Sequence, residues 1–469
     1  MIQKLKRRTK IVLSIDKPSE WGELTEKILD LAPSAVRIPY SFEETAQILQ
    51  FLERIQKTNH GLSVLLDISS YHQAVLLLKE ARDVKHGEKL TITTSQTTKA
   101  GDLLVSAGPD HVWEEKADIF LGFGNVILTI DKVEKDQIFT TVLQSGTLRP
   151  NMDCRIPKTY SSPSSSDLKD INLAQFIKKG VDHIIIPGDF DVQDIQDFRN
   201  HIYEQSQQKP WLIGKIATHD HVEQLSTTLK TLDGVLISRR ELALSVDPAV
   251  VPMITKELVQ SCSEKTKFVL VASDTLASMQ TAPTPTRAEV SDVANSVLDG
   301  VDAIVLSEDL SRGPYFERAL QVCCNIVEDI EKNEDVQANW AKRHPTLQSE
   351  YDSISWHAFK TAERIQADAI VCLTEKGNTA LSLSSFRPSL PVLAVSYHER
   401  IAQRMNLLHG VHGITLDRHP TLDDILPLLN DRLTKSSWLK SGDTIVLVTV
   451  SLSPIGDEAS NLFTIQRLS

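Results

Sequence analysis

The sequence predicts an α/β protein with a (β/α)8 TIM barrel, a small β-barrel domain inserted after barrel strand 3, and a C-terminal three-layer α/β domain. Eight short apolar runs alternate with helical segments, and this alternation indicates parallel strands joined by helical crossovers. The runs cover residues 10–15, 35–40, 62–68, 182–187, 211–217, 233–238, 267–273 and 302–307. Eight such units form the barrel, which we place at residues 1–68 and 172–335.

The inserted domain and the C-terminal domain are predicted from breaks in this rhythm. Short β-segments indicate an inserted β domain over residues 69–171, which ends in a serine-rich linker at 159–170. These β-segments cover residues 90–94, 118–121, 126–130 and 139–143. Apolar runs of a further α/β unit follow at residues 369–374, 392–395, 413–416 and 443–450. We therefore predict a separate domain at residues 336–469.

The composition narrows the class of partner. The 469 residues carry a net charge of −12, which argues against nucleic acid and anionic membranes as partners. The five cysteines have no C-x-x-C spacing, so we expect reduced thiols in a cytoplasmic protein. Two close histidine pairs, His219/His221 and His409/His412, have no third ligand nearby in the sequence, so we expect them in solvated loops.

Residues 285–307 combine a capped helix with a buried strand. They read PTRAEVSDVANSVLDGVDAIVLS. Thr286 and Glu289 have the spacing of a capping box, and Asp299-Gly300 ends the helix. Five apolar residues at helical spacing predict one buried face: Val290, Val293, Ala294, Val297 and Leu298. The literal sequence closely resembles the segment that follows the seventh barrel strand in the pyruvate kinase family.

This resemblance implies an activity as well as a fold. Members of the family are glycolytic transferases that move a phosphoryl group from phosphoenolpyruvate to ADP, giving pyruvate and ATP. The resemblance also implies Mg²⁺ and K⁺ as cofactors, a phosphorylated effector, and assembly as a homotetramer. The three-domain architecture of the family agrees with the pattern of strands and helices described above.

Four positions at the ends of strands five and six correspond to the family's phosphoryl-transfer site. Two of them match the family pattern and two do not. Lys215 matches the lysine that stabilises the transferred phosphoryl group and the enolate. Glu241 matches one carboxylate ligand of the divalent cation, but Ala217 replaces the other. Arg240 replaces a glycine whose backbone approaches the substrate carboxylate. These changes predict weak Mg²⁺ binding.

The potassium and nucleotide positions after strands two and three are also altered. Arg37 matches the family's nucleotide-phosphate arginine, and Ser41 matches the potassium-site serine. Asp67 matches the potassium-site aspartate, but Pro39 replaces a potassium-ligating asparagine. Ala74 replaces an arginine that positions the substrate. We therefore expect only a partial K⁺ site.

Strand seven and the inserted domain show further departures from the family pattern. Ser273 matches a threonine and keeps the hydroxyl that donates to the substrate. Asp274 replaces a glutamine and adds a negative charge near an anionic substrate. Residues 121–124 read LGFG and lack the acidic turn that closes over the nucleotide in the family.

The C-terminal domain contains a candidate effector loop. Residues 374–379 read TEKGNT and lie between an apolar run and a predicted helix. The family binds effector phosphates at this place, on backbone amides at a helix N-terminus. The resemblance therefore implies a phosphate loop formed by Thr374, Gly377, Asn378 and Thr379.

Three functions stay open on the sequence alone. The first is a working pyruvate kinase that uses Lys215, Glu241 and Ser273. The second is a pseudoenzyme that keeps the fold and some anion affinity, and acts as a regulatory subunit or as the partner of an intact paralogue. The third is a different reaction on the same barrel, in which Arg240 supplies the positive charge that Mg²⁺ supplies in the family. The lost carboxylate, arginine and glycine favour reduced or absent phosphoryl transfer.

Overall fold

A computed structural model gives the fold of most of the chain. It describes residues 7–15, 33–40, 44–58, 61–69, 74–94, 103–106, 113–122, 124–134, 137–149, 152–155, 168, 171–341, 347, 350–417, 425–435, 438–452 and 460–468. The predicted fold class is confirmed over these residues. None of the helices described is long and apolar enough to span a lipid bilayer.

Eight parallel strands close into a barrel in their order along the chain, and the last strand pairs with the first. The strands are Lys10–Ser14, Ala35–Pro39, Ser63–Asp67, His183–Ile186, Trp211–Ile216, Gly234–Ser238, Phe268–Ala272 and Ala303–Val305. Each strand lies inside its predicted apolar run. A strand that is covered on both faces has apolar side chains on both sides, so it appears in the sequence as a continuous apolar run. Val12 and Leu65, for example, pack inside the barrel, whereas Leu13 and Leu66 pack against the surrounding helices.

Helices follow the barrel strands, and all but the short helix Arg239–Leu242, which lies at the barrel mouth, cover the outer face of the barrel. They are Thr45–Thr58, Leu173–Lys178, Val192–Gln205, His219–Thr228, Arg239–Leu242, Val251–Glu264, Arg287–Leu298 and Phe316–Glu331. Two 3₁₀ turns, Ala277–Gln280 and Glu308–Arg312, lie at the rim of the barrel.

The helix Arg287–Leu298 begins with the predicted capping box. The Glu289 backbone N–H donates to Thr286 Oγ1 at 3.2 Å, and the Thr286 N–H donates to Glu289 Oε2 at 2.8 Å. The predicted apolar face is wrong at its edges, because Val290 and Leu298 are 36% and 41% exposed. The buried stripe is narrower and includes Ser296, so these two side chains lie beside it.

The inserted domain forms a second closed β-barrel of seven strands. These strands are Ala74–Leu77, Lys89–Thr93, Leu103–Ser106, Asp118–Leu121, Val126–Glu134, Gln137–Gln144 and Met152–Arg155. A separate pair, Arg82–Val84 and Gly146–Leu148, lies beside them. The four predicted β-segments are present, and three further strands of this barrel had no clear alternating pattern in the sequence. The predicted linker lies outside the described residues except for residue 168.

The C-terminal domain is a five-stranded sheet between two layers of helix. Its strands are Ala369–Leu373, Val392–Ser396, Val411–Thr415, Thr444–Leu452 and Ser460–Arg467, and its helices are Glu350–Ile365, Asn378–Ser385, Glu399–Met405 and Ile425–Lys435. The helix Glu334–Ala341 packs instead on the barrel core, through Val336 and Trp340. The last strand is antiparallel to its neighbour and was not predicted. Alternate residues of the first strand face opposite layers, with Ile370 packing near Phe359 and Val371 near Leu429.

A buried ion pair joins the barrel to the C-terminal domain. The Arg387 guanidinium contacts both carboxylate oxygens of Asp302, at 2.7 and 3.0 Å. Asp302 also accepts from the backbone N–H groups of Val269 and His409. Asp302 lies directly before the last barrel strand, so this pair fixes that end of the barrel against its neighbour. The domain boundaries given above stay a prediction.

The prediction of solvated histidines is wrong for three of the four. His219 is exposed, but His221, His409 and His412 are buried. His409 packs edge-to-face on Trp340, with 5.1 Å between ring centroids. Burial lowers the pKa of His221 and the pKa of His409, and both rings are therefore neutral near pH 7. Their burial comes from tertiary packing, which short sequence spacing does not reveal.

Candidate active site

Five of the predicted site residues line one pocket at the carboxyl ends of the barrel strands: Arg37, Lys215, Arg240, Glu241 and Ser273. They come from strands two, five, six and seven and from the turns that follow them. The carboxyl ends of parallel strands meet at one face of a barrel, and this geometry brings together residues far apart in the chain. Glu308, from the turn after strand eight, also lines the pocket.

A buried cluster of two cations and one carboxylate lies at this pocket. The Lys215 ammonium contacts Glu241 Oε1 at 2.8 Å, and the Arg155 guanidinium contacts Glu241 Oε2 at 2.7 Å. The three side chains are only 4%, 8% and 10% exposed for Lys215, Arg155 and Glu241. We call these three residues the mouth cluster. It joins the inserted domain, which supplies Arg155, to the barrel.

The charges of the mouth cluster keep Glu241 ionised. Burial alone would raise the pKa of Glu241, but the nearby Arg155 and Lys215 outweigh burial and hold that pKa well below its usual range. Arg155 was not among the predicted site residues. Its contact with Glu241 crosses from one domain to another, so neither a motif nor a spacing indicates it.

The residues at the expected divalent-cation site do not fit a magnesium ion. Ala217 is buried, offers only a methyl group, and donates its backbone N–H to His221 Nδ1 at 3.2 Å. Both oxygens of Glu241 already contact cations. Across the part of the chain that the structure describes, no group of three or more His, Cys, Asp or Glu side chains could hold a metal. Mg²⁺ in proteins usually needs one or two carboxylates free to bind it.

Arg240 lies at the rim with its charge compensated. Its guanidinium contacts Asp274 Oδ1 at 2.8 Å and approaches Asp309 Oδ2 at 3.8 Å. Burial raises the pKa of Asp274, although Arg240 acts in the opposite direction. The two sequence departures at positions 240 and 274 therefore occur as a pair of opposite charges.

The hydroxyl of Ser273 is engaged by its neighbours. It accepts from the Arg239 guanidinium at 2.9 Å and donates to Asp292 Oδ2 at 3.2 Å. Arg239 and Asp292 also form an ion pair with each other. Arg239 and Asp292 were missed from the sequence, because one follows strand six and the other lies on the helix after strand seven.

Arg37 and Asp67 form a buried ion pair on strands two and three. Arg37 Nε and one terminal nitrogen contact Asp67 Oδ2 at 2.9 and 2.6 Å. Asp67 Oδ1 accepts from the backbone N–H and the hydroxyl of Ser69. Burial would raise the pKa of Asp67, but Arg37 and Lys215 lower it further than burial raises it. Both oxygens of Asp67 are thus occupied by donors.

The other positions predicted for potassium and substrate, Pro39, Ser41 and Ala74, supply no further ligand among the residues that the structure describes. Pro39 is the last residue of strand two and has no side-chain oxygen. Ser41 lies outside the described residues. Ala74 begins the first strand of the inserted domain and pairs with Cys154, the residue before Arg155. The site residues described here thus provide no complete K⁺ site.

The candidate effector loop lies at the opposite end of the barrel from the pocket. Gly377, with φ of +95°, precedes the helix Asn378–Ser385, and its N–H donates to Thr374 Oγ1 at 2.9 Å. A Cβ added at Gly377 would lie 2.8 Å from the ring of Trp211, so both conformation and space require glycine. Thr374 and Thr379 are buried, whereas Asn378 is exposed.

The chain is similar to known pyruvate kinases over nearly its whole length. Residues 6–320 match the profile of the pyruvate kinase barrel domain, and residues 352–465 match that of the pyruvate kinase alpha/beta domain. The pyruvate kinase of Bacillus licheniformis is 28% identical over 461 residues, covering 96% of this chain and 79% of the relative. Pyruvate kinase 2 of Synechocystis sp. is 28% identical over 464 residues, covering 96% and 78%.

A solved structure supports the fold. Cryptosporidium parvum pyruvate kinase in complex with ADP superposes with a TM-score of 0.86 at 22% sequence identity, covering 99% of this chain and 96% of that one. The two domain profiles together span the barrel and the C-terminal sheet described above. The chain therefore belongs to the pyruvate kinase family.

Proposed function

We propose that this chain is an impaired or inactive phosphotransferase that keeps an anion-binding barrel mouth. The observation that carries the proposal is the state of Glu241, whose two oxygens contact Lys215 and Arg155. With Ala217 at the second carboxylate position, a divalent cation would have to disrupt a buried salt bridge to gain one protein ligand.

The reaction of the relatives defines the substrates to be tested. Pyruvate kinases move a phosphoryl group from phosphoenolpyruvate to ADP, and we propose the same substrates for any activity that persists here. Lys215, Arg37 and Arg240 are the proposed anion-binding residues, and Ser273 is the proposed substrate donor. Glu241 for Mg²⁺, and Ser41 with Asp67 for K⁺, are proposed to bind their ions weakly.

Two other possibilities raised by the sequence receive less support. A different reaction that relies on the charge of Arg240 is disfavoured, because that guanidinium lies against Asp274 and Asp309. A non-catalytic subunit, in a homotetramer or with an intact paralogue, stays a prediction from the resemblance. The phosphate role of the loop containing Thr374 and Gly377 is likewise a proposal.

The proposal predicts slow turnover by the purified chain. Loss of one electrostatic stabiliser commonly lowers a rate about 100- to 1000-fold, and such losses are not additive. We expect turnover below about 1 s⁻¹, the low end for typical enzymes. A coupled assay with phosphoenolpyruvate, ADP, Mg²⁺ or Mn²⁺, and K⁺ measures it, with the Bacillus licheniformis enzyme as a positive control. Turnover clearly above that value in the same assay would show that the proposal is wrong.

A further inference from the structure

Glu308 places a carboxylate in the wall of the pocket at the barrel mouth. It begins the turn Glu308–Arg312 after strand eight and lines the pocket together with Lys215 and Arg240. Its side chain is 36% exposed, so the carboxylate can reach a ligand in the pocket. A pocket that is proposed to bind anions thus also contains a group that repels them.

The carboxylate of Glu308 keeps its capacity to accept hydrogen bonds. Its ion-pair contact is with Arg37, whose Nη1 lies 3.6 Å from Glu308 Oε2, which is longer than a hydrogen bond. Arg37 donates instead to Asp67 Oδ2, through two nitrogens, and to Ser14 Oγ at 2.6 Å. Over the residues that the structure describes, no group donates a hydrogen bond to the Glu308 carboxylate. Glu308 can therefore accept from a ligand without losing such a bond.

Glu308 and Lys215 face the pocket from different sides. Lys215 lies on strand five and Glu308 follows strand eight, three strands away around the barrel. Two further carboxylates lie near Glu308: Asp309 in the same turn, and Asp274 after the neighbouring strand seven. Burial is the largest cause of the raised pKa of Asp274, and the charges of Asp309 and Glu308 add to it. The pocket therefore has a cation on one side and, on the other, a carboxylate with two more beside it.

An ammonium group on a ligand suits this arrangement better than a further anionic group does. A carboxylate accepts strong hydrogen bonds from an ammonium, and it repels phosphate and carboxylate oxygens. At about pH 7.5 a phosphate monoester is almost fully ionised. Phosphoenolpyruvate then offers no hydrogen-bond donor to Glu308, whereas a phosphorylated amino acid offers an ammonium.

We propose that Glu308 is a specificity-determining residue, and that the pocket selects a small phosphorylated acid that also carries an ammonium group over phosphoenolpyruvate. This inference rests on the proposed anion-binding mouth and names its ligand class. An anionic group of the ligand contacts Lys215, and the ammonium donates to Glu308.

The test compares two ligands that differ only in the ammonium group. They are O-phosphoserine and phosphonooxypropanoate, which is phosphoserine without its amino group. Isothermal titration calorimetry of the full chain with each ligand, at about pH 7.5, measures the two dissociation constants. We expect phosphoserine to bind roughly 10- to 100-fold more tightly, the range for one hydrogen bond to a charged group.

Glu308→Gln should change the two affinities in opposite directions. Glutamine keeps the size of the side chain and removes its charge, so phosphoserine should bind about 10-fold more weakly and phosphonooxypropanoate more tightly. General damage to the pocket would weaken both ligands alike. Glu264→Gln is the matched control, and neither affinity should change. Glu264 is an exposed glutamate at the end of the helix Val251–Glu264, which leads into strand seven, so it lies at the opposite face of the barrel from the pocket.

The outcomes separate this inference from the proposed function. Equal affinities of the two ligands for the wild-type chain, or tighter binding of phosphoenolpyruvate than of phosphoserine, would overturn the role of Glu308 and leave the anion-binding mouth intact. No binding of any of the three ligands would overturn the anion-binding mouth and the inference with it. If Glu308→Gln does not fold, the comparison on the wild-type chain still decides, and Glu308→Asp, which keeps the charge, should retain the preference for phosphoserine. Affinities that fall alike for both ligands in a folded Glu308→Gln protein would also contradict the inference.

Discussion

Replacing Arg387 by methionine is expected to lower the free energy of unfolding by about 3–5 kcal/mol, the cost of breaking a buried pair from one side. The substitution leaves the Asp302 carboxylate buried without its cation, with both side chains at most 5% exposed. It also removes the donors to the carbonyl groups of Gly300 and Ser384. Chemical denaturation followed by circular dichroism measures the loss.

Arg364→Met is the matched control for this experiment. Arg364 is an exposed arginine on the helix Glu350–Ile365 of the same domain, and substitutions at such surface positions usually change stability by less than about 0.5 kcal/mol. If Arg387→Met were no more destabilising than Arg364→Met, the pair with Asp302 would not hold the barrel and the C-terminal domain together. A separate early transition in the Arg387→Met protein would indicate that the two domains unfold independently.

Rebuilding the family pattern at the barrel mouth is expected to raise phosphoryl transfer about 100- to 1000-fold in the presence of Mg²⁺. The variant combines Ala217→Glu, Arg155→Gln and Arg240→Gly. The first change restores a second carboxylate, and the second releases Glu241 from one of its two cations. The third removes the arginine side chain at a position where the family has a glycine, whose backbone approaches the substrate carboxylate. The coupled assay measures kcat/KM.

The double variant Arg155→Gln, Arg240→Gly is the control for the rebuilt site. It lacks the second carboxylate and is expected to show no gain that depends on Mg²⁺. Thermal melting checks that each variant is folded, because Ala217 is buried. A folded triple variant with unchanged kcat/KM would mean that metal binding is not what limits this chain.

The fold was predictable because its signals are local. Strands covered on both sides appear as short apolar runs, and the helix after Thr286 begins with a recognisable capping box. The strand Ser460–Arg467 was missed, since its exposed Leu462 and Ile465 do not follow the pattern of a buried strand. Val290 and Leu298, which were predicted to be buried, show that helical spacing indicates which face of a helix is buried but not how wide the buried face is.

The candidate site was predictable only where a motif carried it. Lys215, Glu241 and Ser273 lie at the carboxyl ends of successive barrel strands, and the structure brings them to one pocket. The ion pairs beside these residues involve Arg155, which comes from the inserted domain, and Asp292, which lies on the helix after strand seven. Such contacts depend on how distant elements pack, and a single sequence holds no local pattern for them.

Binding of a divalent cation is the property in which this chain is expected to differ most from its relatives. Electron paramagnetic resonance of Mn²⁺ measures the free ion in the presence of protein and phosphoenolpyruvate. We predict that the signal of free Mn²⁺ stays unchanged when the wild-type chain is added, because Lys215 and Arg155 already hold Glu241. Stoichiometric loss of the free signal, abolished by Glu241→Gln, would contradict the proposal that Glu241 binds a divalent cation only weakly.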